Sequence, residues 1–200
     1  MHFINQKPLA EHNLNDLYQT PKCLTFELLK TGQLENIKTV LEPCCGKKAI
    51  SSILKSEGFI VEERDLLYGN NFLKDEVEGK YDAIITNPPF SMYDDFVLKA
   101  KEYDVEKIIM IGRVNLFGSH SRTVKKIWEN LSDVYVFDRQ IVFSDNVENP
   151  KAGCLVCGWF IWTKNYTDDP KLHFIDIDKY IFRKGNKNEF NTKNITIYSW

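Results

Sequence analysis

"IKTVLEPCCGKKAISSILKSEGFIVEERD", Ile37 to Asp65, changes its hydrophobic period twice, and those changes decide the fold. Thr39 to Leu41 reads as a buried strand running into the polar, glycine-containing turn Glu42 to Gly46. "KKAISSILKSEG" then has helical spacing, with Ile50, Ile53 and Leu54 inward and Gly58 as its stop. "FIVEERD" is a second strand. Strands joined through a helix point to parallel pairing, which needs a crossover of this kind.

The same alternation extends on both sides. Upstream, "TPKCLTFELLKTG" is a helix introduced by Thr20-Pro21, with Leu24, Leu28 and Leu29 on one stripe and Gly32 near its end. Downstream come a strand in "EGKYDAIIT", a helix in "SMYDDFVLKAKEY" with Phe96, Val97 and Ala100 toward the sheet, a strand in "VEKIIMIGRVN" and a helix in "SRTVKKIWENL". The expected class is therefore α/β, a mostly parallel, doubly wound sheet. Then the pattern changes. "SDVYVFDRQIVF" and "AGCLVCGWFIWTK" are two β-rich runs joined by a loop, expected as an antiparallel pair added to one side. Residues 1–164 form the main domain in this reading, and 165–200 a short C-terminal extension of it, with a loop from Arg183 to Lys193 between short terminal strands.

Composition limits the partners. Two hundred residues, 43% hydrophobic and 13% aromatic, suffice for one domain with an ordinary core. A net charge of −2 excludes a uniformly basic nucleic-acid coat and confines any polynucleotide contact to one face. No apolar run reaches membrane-spanning length, and the first residues lack the pattern of a signal peptide. With five cysteines, an odd number, a cytoplasmic chain with reduced thiols is expected. Cys154 and Cys157 have no second ligand pair at zinc spacing, and the histidines at 2, 12, 120 and 173 are scattered, so no metal site is expected.

In an open parallel sheet, ligands bind outside the carboxyl ends of the strands. The loops there hold Glu42-Pro43-Cys44-Cys45-Gly46, then Asp65, then Asn87-Pro88-Pro89-Phe90. One glycine and an acid do not make a phosphate or dinucleotide loop, which need several glycines. Two acids and a glycine suit a cationic cofactor with ribose hydroxyls, as in S-adenosylmethionine. Asn87 to Phe90 ends a strand with two prolines, between an amide and an aromatic ring. An exocyclic amine is a poor nucleophile because its lone pair is delocalised. Two acceptors aimed at its protons, the Asn87 side-chain oxygen and the Pro88 carbonyl, favour the pyramidal form that frees that pair. The prolines stiffen this arrangement, and Phe90 offers a face for a planar base.

Thr20-Pro21, "LEPCCG", the acid after the second strand, "NNFL" and "NPPF", in that order, resemble the S-adenosylmethionine-dependent amino-methyltransferases, most of all the N6-adenine DNA methyltransferases of bacteria and phages. The similarity covers most of residues 18 to 162 and implies a Rossmann-like methyltransferase fold. It implies that Thr20 and Pro21 lie against the methionine end of S-adenosyl-L-methionine, and that Glu42, Pro43, Cys44 and Gly46 wrap its amino-acid moiety. It implies further that Asp65 takes the ribose hydroxyls, Asn71 the adenine amine with Phe72 beside that ring, and Asn87 to Phe90 the acceptor amine. Asn71 stands where many members carry Asp, and Lys48 where a second glycine is common. Phe143 and Arg113 are further substrate-binding candidates; core packing is the default for Phe143, Trp159 and Trp162, and ion pairing or solvation for Arg113, Arg122 and Arg139.

No inserted recognition domain is visible, so target recognition is expected from short loops, the C-terminal extension, a second copy or a partner subunit. DNA is the preferred substrate. An RNA base or a protein glutamine poses the same lone-pair problem, and a non-catalytic binding subunit is the alternative outside enzymology.

Overall fold

The computed structural model describes residues 19–76, 78–140, 143 and 155–180. In it β1 (Thr39–Glu42), β2 (Ile60–Glu63), β3 (Ala83–Thr86), β4 (Lys107–Arg113), β5 (Leu131–Phe137), β6 (Cys157–Thr163) and β7 (Lys171–Ile175) form one sheet in the order β2-β1-β3-β4-β6-β5-β7. Every described pairing is parallel except the two that β6 makes, to β4 and to β5.

Alternation along the strands builds two cores. On β4, Ile109 and Ile111 join Leu24 and Leu28 of α1 (Lys22–Leu29) and Ile50 and Leu54 of α2 (Ala49–Ser56). Ile108 and Met110 point to the other side and pack with Phe96, Val97 and Ala100 of α3 (Tyr93–Ala100). Full burial of each such side chain contributes about 1.5–3 kcal/mol, which fixes the register of the central strands.

The antiparallel pair β5/β6 forms as expected, on the β4 side of the parallel strands; what differs is its internal order and one helix. β6 is wedged between β4 and β5, and β7, from the C-terminal extension, pairs parallel to β5. Local pattern specifies that strands pair, not which lies central. The helix expected across "SRTVKKIWENL" is only the one turn of α4 (His120–Val124). Beyond it Lys126 and Asn130 take left-handed φ values of 56° and 63°. The carbonyls of Lys126 and Glu129 accept from the Lys101 ammonium, and that of Ile127 from the Trp162 indole N–H. Tertiary donors thus take carbonyls that a longer helix would satisfy itself. Cys154 and the terminal strand expected after Lys193 lie outside the described residues. Among the described residues, no helix is long and apolar enough to cross a membrane.

What positions the site is the parallel half. β1 to β4 all end on one rim, and the strand order reverses between β1 and β3, where an α/β sheet opens a crevice.

Candidate active site

The turn after β1 is laced to the end of β2. Arg64 N–H donates to the Glu42 carbonyl at 2.9 Å, and Cys45 N–H to the Arg64 carbonyl at 3.0 Å. Asp65 then clamps both loops: its Oδ2 accepts from Gly46 N–H at 2.8 Å and its Oδ1 from Leu67 N–H at 2.9 Å. Tyr68 completes the clamp, its hydroxyl donating to the Gly46 carbonyl at 3.0 Å. Gly46 has φ +49°, and a Cβ there would stand 3.2 Å from Gln19 Nε2, so the glycine admits both the turn and the Gln19 amide. Lys48, where a second glycine is common in the family it resembles, is itself left-handed at φ 67°.

Two glutamates stand side by side at this rim, Glu42 in register with Glu63. Burial alone would raise both carboxyls. For Glu63 the hydrogen bonds from Lys48 and Lys55, each 2.8 Å away, outweigh it and bring the carboxyl down to about 2. Among the described residues Glu42 has no lysine beside it, and its interaction with Ser51 does not offset burial. It is 1% exposed, its Oε2 is buried without a hydrogen bond, and burial, with Glu63 and Asp65 adding repulsion, pushes the carboxyl up to about 8. Burial, with repulsion from the nearby carboxylates, also pushes the Cys45 thiol up to about 12 and the Cys44 thiol well above its ordinary value. Neither is poised as a thiolate nucleophile.

At the end of β3 the Asn87 Nδ2 donates to Thr20 Oγ1 at 3.1 Å, which turns the amide so that Oδ1 is buried without a partner. Thr20 and Pro21 are themselves buried against this rim. The Pro89 carbonyl accepts from Met92 N–H at 3.0 Å, whereas that of Pro88 has no hydrogen bond among the described residues. Phe90 meets the Phe143 ring edge-on at 5.9 Å, and the Arg113 guanidinium lies over it at 5.3 Å. Asn87, Pro88, Phe90, Arg113 and Phe143 are therefore one constellation drawn from three separate stretches of chain. Pro43 is buried behind the β1 turn.

Asn71 and Phe72 serve their own loop. Asn71 Oδ1 accepts from Leu73 N–H at 3.2 Å, and Phe72, 3% exposed, stacks on Tyr103 and meets Phe96 at a tilt in the core on the α3 side. Trp159 and Trp162 are core residues whose indoles donate to main-chain carbonyls, and Arg122 is paired with Asp94 at 2.7 Å. Reasoning from sequence missed Gln19 and Tyr68. For Tyr68 the signal was present: Leu66, Leu67 and Tyr68 form an apolar triplet inside a turn, and they stay 56%, 48% and 53% exposed. Gln19 had no signal of its own beyond preceding Thr20-Pro21.

Buried polar atoms are nearly always satisfied. Among the described residues eight buried side-chain polar atoms lack partners, and four of them, Glu42 Oε2, Thr86 Oγ1, Asn87 Oδ1 and Arg113 Nε, sit where β1, β3 and β4 end; the others belong to Thr25, Ser51, Tyr93 and Trp128. An acid and an amide oxygen left free on either side of the β1/β3 crevice match a cationic ligand and an amine.

No protein-family profile matches the chain, and no curated protein matches it in sequence. Among solved structures it is similar to a protein described as a class I S-adenosylmethionine-dependent methyltransferase from Listeria monocytogenes, with 12% identity, 84% of this chain and 68% of that chain covered, and a TM-score of 0.53. It is also similar to a protein described as an RNA methyltransferase from Pyrococcus horikoshii, with 16% identity, 76% and 90% covered, and a TM-score of 0.52. What the chain shares with both is the Rossmann-like methyltransferase fold.

Proposed function

We propose that this protein transfers a methyl group from S-adenosylmethionine to an exocyclic amine, N6 of adenine in DNA being the first choice. The observation that carries this reading is the pair of buried, unpartnered acceptors at neighbouring strand ends, Glu42 Oε2 and Asn87 Oδ1. Bound here, S-adenosylmethionine supplies a sulfonium methyl electrophilic enough to need no protein nucleophile. Glu42 suits its ammonium, because a cation favours the ionised carboxylate that burial otherwise opposes. Asp65 stays buried at the lip of β2, and Thr20, Pro21, Pro43, Cys44 and Gly46 form the wall around the β1 turn. Asn71 and Phe72 hold the loop beyond Asp65.

On the acceptor side, Thr20 fixes which way the Asn87 amide faces. Asn87 Oδ1 and the Pro88 carbonyl accept hydrogen bonds from the two amine N–H groups, and Pro89 restrains the carbonyl's direction; as the C–N bond forms, S-adenosylhomocysteine leaves and one amine proton passes to solvent. Phe90 stacks on the base. A base inside a duplex must be flipped out to reach this rim. Target recognition falls to short loops, a second copy or a partner subunit.

Radiolabelled methyl transfer to pooled DNA, RNA and extract protein tests the reading and ranks the substrates. Asn87→Ala is expected to slow transfer by about 10²–10³, with calorimetric cofactor binding retained. Transfer at the parent rate in that variant contradicts the mechanism. Label appearing in protein alone moves the acceptor from adenine to glutamine.

A further inference from the structure

Arg113 closes β4 and differs from the other arginines near the sheet. Arg64 and Arg122 are paired with Glu62 and Asp94. Arg113 has a buried Nε with no hydrogen-bond partner, and its guanidinium touches no carboxylate among the described residues. What it meets is the Phe90 ring, 5.3 Å from the guanidinium carbon to the ring centre. Arg113 is half-buried, but its Nε–H is enclosed without an acceptor, which is unfavourable and points to an acceptor that arrives with a ligand.

The spacing narrows what that ligand is. A planar group inserted between Phe90 and Arg113 needs two van der Waals layers, about 7 Å in all. At 5.3 Å there is no room for it. The other neighbours of Phe90 are the edge of Phe143 and the core on the α1 side. Arg113 therefore covers the face that a substrate base would use. Leaving that face forfeits a cation–π attraction. A phosphate replaces it with a charge-assisted, potentially bidentate hydrogen bond, which a neutral amide side chain cannot do.

We propose that Arg113 determines specificity by capping the Phe90 platform until a phosphate of a polynucleotide substrate draws the guanidinium away. An amine that arrives without a phosphate meets a covered platform. The proposal rests on the methyl-transfer reading for its chemistry, but its binding consequence stands separately.

The test compares the parent with Arg113→Gln and Arg113→Lys. Anisotropy of a labelled, adenine-containing single-stranded oligonucleotide is followed between 50 and 200 mM salt (roughly the span over which phosphate contacts dominate affinity). Calorimetry with S-adenosylhomocysteine controls for an intact cofactor site. Arg113→Gln is expected to bind the oligonucleotide about tenfold more weakly, with the salt slope reduced by about 0.7 for the one lost contact. Arg113→Lys keeps the slope. The ratio of methyl transfer to free adenosine over transfer to the oligonucleotide rises in Arg113→Gln. Unchanged affinity and slope in Arg113→Gln overturn the proposal, as does a slope lost equally in Arg113→Lys. A parent that binds no S-adenosylhomocysteine sinks the methyltransferase reading instead, while the oligonucleotide measurement still judges Arg113.

Discussion

The two rims of the parallel half use similar residue types to opposite ends. At the amino rim, Asp82 Oδ2 accepts from the Lys38 and Thr39 N–H groups and from the Thr39 hydroxyl, and these bonds hold its carboxyl below the ordinary value. Beside it, Gln33 accepts from the Lys107 ammonium and donates to Tyr135 Oη, while His173 Nε2 meets Asp133 Oδ1 at 2.9 Å. Polar groups there are satisfied within the chain. At the carboxyl rim Glu42, Thr86, Asn87 and Arg113 carry buried atoms without partners. One rim is satisfied by folding, and the other keeps the unpartnered atoms that we propose a ligand meets.

Among the effects read by binding or stability, replacing the acid at the open rim should have the largest consequence. Glu42→Gln is expected to weaken S-adenosylmethionine binding by about 10–100-fold, that is about 1.4–2.7 kcal/mol, as read by calorimetry. The same residue sets a pH dependence. Its carboxyl lies at about 8 in the fold against an ordinary 4.5, so between those values the native chain holds a proton that the unfolded chain has lost. This contribution to stability is complete below pH 4.5, declines as pH rises by up to about 1.4 kcal/mol per unit, and is flat above pH 8. Thermal melts of the parent should fall across that window relative to those of Glu42→Gln. Parallel curves break the contrast between the rims.

Next in size is a pair of substitutions, one at each rim. Asp82→Ala removes the acceptor that gathers Lys38 and Thr39, and should cost about 1–2 kcal/mol with cofactor affinity unchanged. Thr86→Val deletes a hydroxyl that has no partner and should be neutral or stabilising by up to about 1 kcal/mol. Denaturant titrations compare them, and a Thr86→Val loss as large as that of Asp82→Ala means the open rim is satisfied too.

The smallest effect is expected at Lys48. Its left-handed backbone is strained by about 1 kcal/mol, and a glycine relieves this while losing one of two lysine partners of the half-enclosed Glu63 carboxylate, with Lys55 retained, and gaining unfolded-state entropy. Lys48→Gly should stay within about 1 kcal/mol of the parent by denaturant titration.

The parallel half was legible because each of its elements carries its own period: buried β1, amphipathic α2 and the prolines that stop β3. The order of β5, β6 and β7 was not, because three apolar strands can share a sheet in several arrangements and only packing selects one. The α4 region misled because helical spacing in "VKKIW" competes with donors from Lys101 and Trp162, which are distant in sequence. At the site, the chemistry of Asn87 to Phe90 is what singles out that turn in the sequence, and its role belongs to the proposal. Gln19 carried no signal, and the exposed triplet ending in Tyr68 was a signal without a direction, since both residues act through Gly46 and across loops.

The central claim is that the open rim between Glu42 and Asn87 holds the cofactor. A crystal structure with S-adenosylhomocysteine tests it most directly. The account predicts the ligand in the β1/β3 crevice, its ammonium on Glu42 and its sulfur facing Asn87. A ligand bound at the amino rim, or away from both residues, contradicts it.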